Sequence, residues 1–372
     1  MSAALCWVHV GDLHLEAADG WQSLDRLRAI VAEVNAHVGA SADFVFLPGD
    51  NANHGEPEQY ARMIDTLRPL TRPWRIIPGD HDFEPGDLDA YEAAVPEANR
   101  PETEVIGGYR CLYLDVVSAG AGGPDFRLTQ HDRRRIAEEL ARAEAAGQVP
   151  AVFMHAYPGD LTADVDEIAS GFAQGGVAFV DTGHTHYNEL LNDGRVLYGA
   201  TRSTGQIEED GGRPGYAIVC LHGRVASWRF RRIGEAWPHV QIVAPSDIRL
   251  VTRPADAAQV PRPDAVTILA TVMGSDDVPM LAVDGRGIGP MVRDAEGLWR
   301  RAVSAIEAGV HRVEVTCAGQ RDAIDVLVRG ADAIPKRWPP VAPGRECHAI
   351  GAWLEAGIEG TQLGPNKNGC GW

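Results

Sequence analysis

Five short apolar segments of this 372-residue chain are each followed within three residues by aspartate or histidine. The segments are Leu5 to Val10, Asp43 to Leu47, Trp74 to Ile77, Ala151 to Met154 and Val177 to Val180. Their length and their content of Val, Ile and Phe predict buried strands. Helical spacing of apolar residues over 23–37, 57–67 and 129–146 predicts helices between them. Strands that alternate with helices restrict this part of the chain to an α/β fold.

Ionisable side chains follow every one of these strands. They are Asp12 and His14, then Asp50, then Asp80, His81 and Asp82, then His155, and finally His184 and His186. A single histidine after a strand is usually a core or loop residue. Charged groups are costly to bury unpaired, and sites in open α/β sheets form at the carboxyl ends of the strands. Five strands out of five therefore predict one shared site.

Carboxylates and imidazoles together are typical ligands of transition metals rather than of Mg²⁺ or Ca²⁺ alone. We predict two divalent or mixed-valence ions, drawn from Mn, Fe and Zn. One ion is assigned to Asp12, His14 and His186, the other to Asp80, His155 and His184, with Asp50 between them. Two ions about 4 Å apart can clamp both oxygens of an in-line displacement. This ligand set predicts a dinuclear metal centre.

The motif set resembles that of the calcineurin-like metallophosphoesterases. Its members here are Asp12-Leu13-His14, Gly49-Asp50, Gly79-Asp80-His81-Asp82, His155 and Gly183-His184-Thr185-His186. The resemblance covers roughly the first two-thirds of the chain. It implies a four-layer α-β-β-α sandwich and hydrolysis of phosphoesters by a metal-bridging hydroxide. The spacing from Asp12 to His186 is most similar to the bacterial class III cyclic nucleotide phosphodiesterase branch.

The resemblance also implies two catalytic residues. His81 would donate to the phosphoryl or leaving-group oxygen, and Asp82 would orient His81. One position departs from the family, because Asp80 stands where the family has asparagine. An ionised aspartate has no amide donor and adds a negative charge. We therefore expect the site to attract a dianionic monoester less well than its relatives do. A monoanionic diester, a less charged ester or an Fe(III)–M(II) metal pair would each suit the lower charge.

Three further residues are candidates for substrate binding. Arg202 follows a strand just after the histidine pair and could clamp an anion, although a surface arginine is an equal alternative. His54 could face the cleft or only solvate the start of a helix. Tyr157 follows His155 closely and could border the pocket.

Beyond the α/β part the pattern changes to short strands. We assign residues 1–243 to a metallophosphoesterase catalytic domain and 244–335 to a small all-β, immunoglobulin-like sandwich without catalytic residues. Four prolines between 245 and 263 indicate the linker. Residues 336–372 are an irregular tail. If they were exposed, the apolar side chains of Leu363 and Trp372 would promote non-specific association. We therefore expect the tail to be ordered and docked on the rest of the protein.

The formal net charge of −18 disfavours nucleic acid and anionic membranes as partners. A small-molecule phosphoester is the expected partner, and self-association into a homo-oligomer is left open. The chain shows no N-terminal signal and no apolar run of membrane-spanning length. Six cysteines without paired spacing predict buried free thiols in a reducing compartment. We therefore expect a cytoplasmic location.

The leading hypothesis is a phosphodiesterase. The first alternative is a phosphomonoesterase, or a hydrolase of a non-phosphate ester, that uses the same site. The second is a non-catalytic metal-binding scaffold. A scaffold has no need of His81 beside seven ligands, and this argues against the second alternative.

Overall fold

The structure is a computed structural model, and it describes residues 4–304, 306–330 and 348–360 together with Gly364. The helices are α1 Gln22–Glu33, α2 Pro57–Leu67, α3 Asp89–Ala94, α4 Gln130–Ala145 and α5 Val165–Gln174. The first eleven strands are β1 Leu5–His9, β2 Phe44–Leu47, β3 Trp74–Ile76, β4 Thr103–Ile106, β5 Tyr109–Leu114, β6 Val149–Met154, β7 Phe179–Thr182, β8 Glu189–Asn192, β9 Leu197–Ala200, β10 Gly215–His222 and β11 Val225–Arg232. The remaining strands are β12 His239–Ala244, β13 Val266–Met273, β14 Met280–Val283, β15 Arg286–Pro290, β16 Val292–Arg293, β17 Trp299–Val303, β18 Gly309–Cys317 and β19 Gln320–Val328.

Two sheets face each other in the α/β part. The five-stranded sheet has the order β11-β10-β1-β2-β3, and the six-stranded sheet has the order β4-β5-β6-β7-β9-β8. One apolar core fills the space between the sheets, a second lies under α1 and α2, and a third lies under α4 and α5. The predicted four-layer α-β-β-α sandwich is confirmed. Because β1, β2 and β3 are mutually parallel, as are β5, β6 and β7, their carboxyl ends share one edge.

Local sequence explains where two of the helices begin. Helix α2 starts with Pro57, and Glu56 and Gln59 form a capping box that satisfies free backbone amides. Thr129 caps α4 in the same way with Asp132. These two capping boxes fix the residues at which α2 and α4 begin.

Two antiparallel four-stranded sheets form the second part of the chain, β12-β13-β17-β16 and β15-β14-β18-β19. The predicted β-sandwich is confirmed. On β18 Val313, Val315 and Cys317 are buried while the residues between them are partly exposed, which is the alternation expected of a sheet with one packed face. However, β12 pairs with β13, with Val240 opposite Val272. The assignment of 239–243 to the catalytic domain does not fit this pairing, and we propose a boundary before β12.

Part of the C-terminal segment docks on the six-stranded sheet. His348 accepts a backbone hydrogen bond from Asn192, and Ile350 donates one to Leu190, so the segment extends the β8 edge. Trp353 is buried, and the guanidinium of Arg249 lies 3.8 Å from its ring centroid. Farther on, the backbone amide of Gly364 donates to Glu189. The expected docking of 336–372 also concerns residues 336–347, 361–363 and 365–372, which lie outside the described residues.

Cys6 and Cys220 form a disulfide, so the expectation of free thiols is wrong for these two residues. They lie directly opposite each other on antiparallel β1 and β10, and their Cα atoms are 4.1 Å apart. Cys111 and Cys317 are free and buried, as expected. Cys347 and Cys370 lie outside the described residues.

In the described part of the chain, no helix combines the length and the apolar character needed to cross a membrane.

Candidate metal centre

The seven predicted ligands converge at the shared carboxyl edge of the two sheets. They form two groups, and within each group the ligand atoms all lie within 4.8 Å of one another. The first group is Asp12, His14, Asp50 and His186, and the second is Asp50, Asp80, His155 and His184. Asp50 belongs to both groups, as the predicted bridging position requires. The structure therefore contains two adjacent candidate metal sites.

In the first group the two imidazoles point at each other, with 2.9 Å between Nε2 of His14 and Nε2 of His186. Nε2 of His14 lies 3.5 Å from Asp50 Oδ2, and Nε2 of His186 lies 3.7 Å from Asp12 Oδ2. The four side chains come from both sheets, because His186 follows β7 whereas the others follow β1 and β2. The first candidate site thus spans the gap between the sheets.

The second group is built in the same way. Nε2 of His155 lies 3.1 Å from Asp80 Oδ1 and 3.5 Å from Asp50 Oδ1. Nδ1 of His184 lies 3.5 Å from Asp80 Oδ1. Nδ1 of His155 faces the carbonyl of Pro48 at 2.8 Å. A ligating histidine whose second nitrogen donates to a carbonyl has a defined tautomer and ring orientation.

The donor set fits transition-metal cations. Oδ1 of Asp12 is buried and has no hydrogen-bond partner among the described residues, while Oδ2 accepts from the backbone amide of His184 at 2.8 Å. A buried carboxylate oxygen without a donor is costly, and a cation would satisfy it. The facing Nε2 atoms of His14 and His186 are compatible with the same occupant, since neutral imidazole nitrogen and carboxylate oxygen are ordinary ligands of such ions.

The backbone at this edge adopts conformations that side chains rarely tolerate. His14, Asp50, His184 and His186 all have positive φ, between 42° and 67°. Non-glycine residues in this region are strained, and such strain concentrates at functional sites. Gly183 also has a packing role, because a Cβ atom there would lie 2.3 Å from Oδ1 of Asp12. Close approach of the backbone to the ligands explains the Gly-His spacing in the motif.

Burial and neighbouring charges act against each other in these carboxyl groups. Burial raises the pKa of Asp12 above its ordinary value. Burial also opposes ionisation of Asp50 and Asp80, but the adjacent histidines outweigh it and hold the pKa of both groups below the ordinary value. These two carboxylates are therefore charged over the physiological range, which is the form that binds a cation.

His81 lies at the mouth of the centre, with its ring centroid 4.6 Å from that of His14. Its Nδ1 faces the carbonyl oxygen of Asn53 at 2.9 Å and Glu84 at 3.1 Å. Burial lowers the pKa of His81, but Asp50 and the Asn53 carbonyl more than compensate, so that the pKa is raised. The ring is partly exposed, with 30% of its side-chain surface accessible. It can reach a bound molecule.

The expected contact between Asp82 and His81 is absent from the hydrogen bonds of the described residues. Asp82 is buried instead, and its two oxygens accept from the amides of Gly79, Asn51 and Ala52 and from the hydroxyl of Tyr60. Burial raises its pKa. The carboxyl group ties the loop after β3 to the loop after β2. Asn53 and Glu84 orient His81. No local sequence pattern predicts this role, because it depends on how two loops meet.

Arg202 does not face the cleft. Its side chain is fully buried and pairs with Glu209 at 3.1 Å and Asp210 at 3.0 Å, and its guanidinium lies 4.2 Å from the Phe230 ring centroid. Neither expected role, a clamp for the substrate or a surface residue, fits this position. The backbone amide of Arg202 donates to Asn188, so the residue belongs to the support beneath the histidine loop.

Tyr157 and His54 differ in their access to the site. Tyr157 is fully buried, and its hydroxyl donates to Glu189 at 3.1 Å, so it does not border an open pocket. His54 is half exposed and its Nδ1 lies 2.7 Å from Glu84. Since Glu84 also contacts His81, His54 lies at the rim of the candidate centre, where a substrate contact is feasible.

The fold and the two ligand groups define a domain of the metallophosphoesterase class. Residues 8–188, just under half of the chain, match the family model of the calcineurin-like phosphoesterases. The resemblance inferred from the motifs is confirmed.

Three curated relatives match parts of the chain. The 3',5'-cyclic adenosine monophosphate phosphodiesterase CpdA of Haemophilus influenzae is 29% identical over 101 residues, 27% of this chain and 35% of that protein. The CpdA of Vibrio vulnificus is 25% identical over 158 residues, 41% of this chain and 55% of that protein. The glycerophosphodiester phosphodiesterase GpdQ of Enterobacter lignolyticus is 27% identical over 170 residues, 43% of this chain and 60% of that protein. The chain thus spans between about a third and three-fifths of the length of these relatives.

Proposed function

We propose that this protein is a metal-dependent hydrolase of phosphoesters and acts on phosphodiesters. The observation that carries the proposal is the pair of ligand groups that share Asp50. The match of residues 8–188 to the family model of the calcineurin-like phosphoesterases supports the chemistry. All three relatives are named as phosphodiesterases, which supports the diester.

The ligand groups would hold two ions, one in each site, and mixed nitrogen and oxygen donors favour Mn, Fe or Zn. Such ions, when bound, activate water and neutralise the charge on phosphoryl oxygens. Asp50, as the carboxylate common to both groups, holds the two sites next to each other. His81 stands at the mouth, and we assign it the hydrogen bond to the phosphoryl or leaving-group oxygen.

Charge supports a diester over a monoester. Two divalent ions carry +4, and the three carboxylates of Asp12, Asp50 and Asp80 reduce this to +1, one unit less than a site with asparagine in place of Asp80. More carboxylates surround the ligands: Glu208 lies 3.6 Å from His186, and Glu84 lies 3.1 Å from His81. A phosphomonoester dianion meets more repulsion here than a diester monoanion does.

The same carboxylates bear on the partner. Long polyanions such as nucleic acid are disfavoured at a site rimmed by Glu84 and Glu208, in keeping with the net charge of −18. A small phosphoester is the substrate class we propose.

The cytoplasmic location predicted from the sequence stays a prediction. The Cys6–Cys220 disulfide favours an oxidising compartment instead, because such bonds are rare in the reducing cytosol. Alkylation of free thiols in lysed cells, followed by mass spectrometry of the Cys6 and Cys220 peptides, separates the two possibilities.

Hydrolysis of bis(p-nitrophenyl) phosphate and of p-nitrophenyl phosphate by metal-free and Mn²⁺-restored protein tests the proposal. We expect turnover only with metal and a higher kcat/KM for the diester. A higher kcat/KM for the monoester would favour the phosphomonoesterase alternative. p-Nitrophenyl acetate is assayed as a non-phosphate ester. Metal binding with no turnover of any of the three compounds would indicate a non-catalytic metal-binding scaffold.

A further inference from the structure

A polar cluster of Trp7, His9 and Asp181 lies in the apolar core between the two sheets. All three residues are fully buried. Asp181 Oδ2 accepts from the indole Nε1 of Trp7 at 2.5 Å, and Oδ1 faces His9 Nδ1 at 2.8 Å. Trp7 and His9 are on β1 of the five-stranded sheet, whereas Asp181 is on β7 of the six-stranded sheet. The cluster is therefore a hydrogen-bonded link from one sheet to the other.

The surroundings of this link are aromatic rather than polar. Trp7 stacks on Phe44 and meets Phe153 edge-on, and His9 meets Phe46 edge-on. Nε2 of His9 has no hydrogen-bond partner among the described residues. An apolar triad of similar volume would fill this space without the cost of burying a carboxyl group and an imidazole. Packing alone does not account for the residues found here.

The position of the link suggests its purpose. His9 lies three residues before Asp12, and Asp181 lies three residues before His184, each on the strand that delivers that ligand. Three residues span at most about 10 Å even when fully extended, so each end of the link lies within about that distance of a metal ligand. Each candidate site takes ligands from both sheets. If one sheet slid relative to the other, the ligands of both sites would move apart.

We propose that Asp181 and His9 are positioning residues that set the register of the two sheets and thereby the geometry of both metal sites. Apolar contacts are non-directional and tolerate small slides, whereas a hydrogen bond requires a defined distance and angle. The backbone amide of His184, which donates to Asp12 at 2.8 Å, makes a second bond between the halves at the site itself. This inference rests on the metal centre of the proposed function but not on the identity of its substrate.

The test compares His9→Leu with His9→Asn. The asparagine amide can take the place of Nδ1 and keep a donor toward Asp181, whereas leucine cannot. Metal-free proteins are titrated with Mn²⁺, and affinity and stoichiometry are measured without substrate, together with the melting temperature in EDTA. We expect His9→Leu to weaken Mn²⁺ binding about tenfold. This is the lower end of the loss in metal affinity that follows when a residue supporting the metal ligands is replaced. His9→Asn should bind within about twofold of the wild type.

Tyr109→Phe is the matched control. The Tyr109 hydroxyl on β5 donates to the carbonyl of Leu221 on β10 at 2.9 Å, so it also links the two sheets, but at the end opposite the metal centre. We expect this variant to lower the melting temperature without changing Mn²⁺ affinity. Trp7→Phe, which removes the other bond to Asp181, replaces His9→Leu if that variant does not fold.

Two results would overturn the inference: wild-type Mn²⁺ affinity in the variant that loses its bond to Asp181, or an equal loss of affinity in Tyr109→Phe. A wild-type protein that binds no Mn²⁺, Zn²⁺ or iron would overturn the proposed function itself.

Discussion

The Nε2 atoms of His14 and His186 lie 2.9 Å apart, although 172 residues separate them in the chain. One follows β1 of the five-stranded sheet and the other follows β7 of the six-stranded sheet. Both have positive φ. Two imidazole nitrogen atoms held this close together, at the cost of backbone strain, are placed as a pair of ligands for one metal ion.

Removal of the metal should abolish hydrolysis and leave the fold intact. Chelation, His14→Ala and His184→Ala each remove ions or a ligand from the two candidate sites. Turnover of bis(p-nitrophenyl) phosphate and far-UV circular dichroism are the measurements. His131→Ala is the control, since His131 is exposed on α4. Full activity in protein shown by elemental analysis to be metal-free would contradict the mechanism.

Asp80→Asn should shift preference toward monoesters while metal binding persists. The substitution restores an amide donor and one positive charge at the site. The measurement is the ratio of kcat/KM for p-nitrophenyl phosphate to that for the bis ester. Asp65→Asn changes net charge equally at an exposed position and should leave this ratio unchanged. An unaltered or lower ratio in Asp80→Asn would mean that the charge argument is wrong.

Tyr60→Phe should destabilise the protein by about 1.5–3 kcal/mol, the usual contribution of a hydrogen bond to a charged group. The Tyr60 hydroxyl donates to Asp82 Oδ1 at 2.8 Å within the junction of the loops after β2 and β3. Urea unfolding measures the change. Tyr187→Phe removes a bond to the half-exposed Glu208 and should cost much less. Equal losses in the two variants would contradict the structural role of Asp82.

Acid should destabilise the fold through His239. Burial, with Arg229 and Arg231 nearby, lowers the pKa of this histidine to about 3. The unfolded chain takes up the proton below about pH 6.5 and the folded chain does not, so stability falls by up to about 1.4 kcal/mol per pH unit below that value. Above pH 6.5 His239 is neutral in both the folded and the unfolded chain, so it contributes no pH dependence to the free energy of unfolding. Urea unfolding from pH 7 to 4.5 should show a shallower slope in His239→Gln, and identical slopes would refute the assignment.

Trp353→Ala should lower stability by about 3 kcal/mol, because a buried indole is lost and a cavity remains. The adjacent residue supplies the control: Leu354 is 73% exposed, and Leu354→Ala should change the melting temperature little. If Trp353→Ala melts like the wild type, the docking of 348–360 does not contribute to the stability of the sheet.

Periodicity and strand-end chemistry were enough to predict an α/β fold, a β-sandwich and the two ligand groups, whereas the four-layer arrangement of the sheets was implied by the family resemblance. The reason is that both signals are local: buried strands show as apolar runs, and ligands must follow them directly. His14, Asp50 and His184 are each readable within a few residues of their strand, and parallel topology then brings them to one edge.

Only the tertiary structure decided how side chains from distant segments pair. Asp82 accepts hydrogen bonds from Tyr60 and from the loop after β2 rather than contacting His81. Arg202 is buried, with its guanidinium paired with Glu209. Cys6 meets Cys220 through an antiparallel register that no cysteine spacing could reveal. Such contacts depend on strand register and on how the sheets pack, and both are set by interactions throughout the core. A local sequence pattern therefore does not encode them.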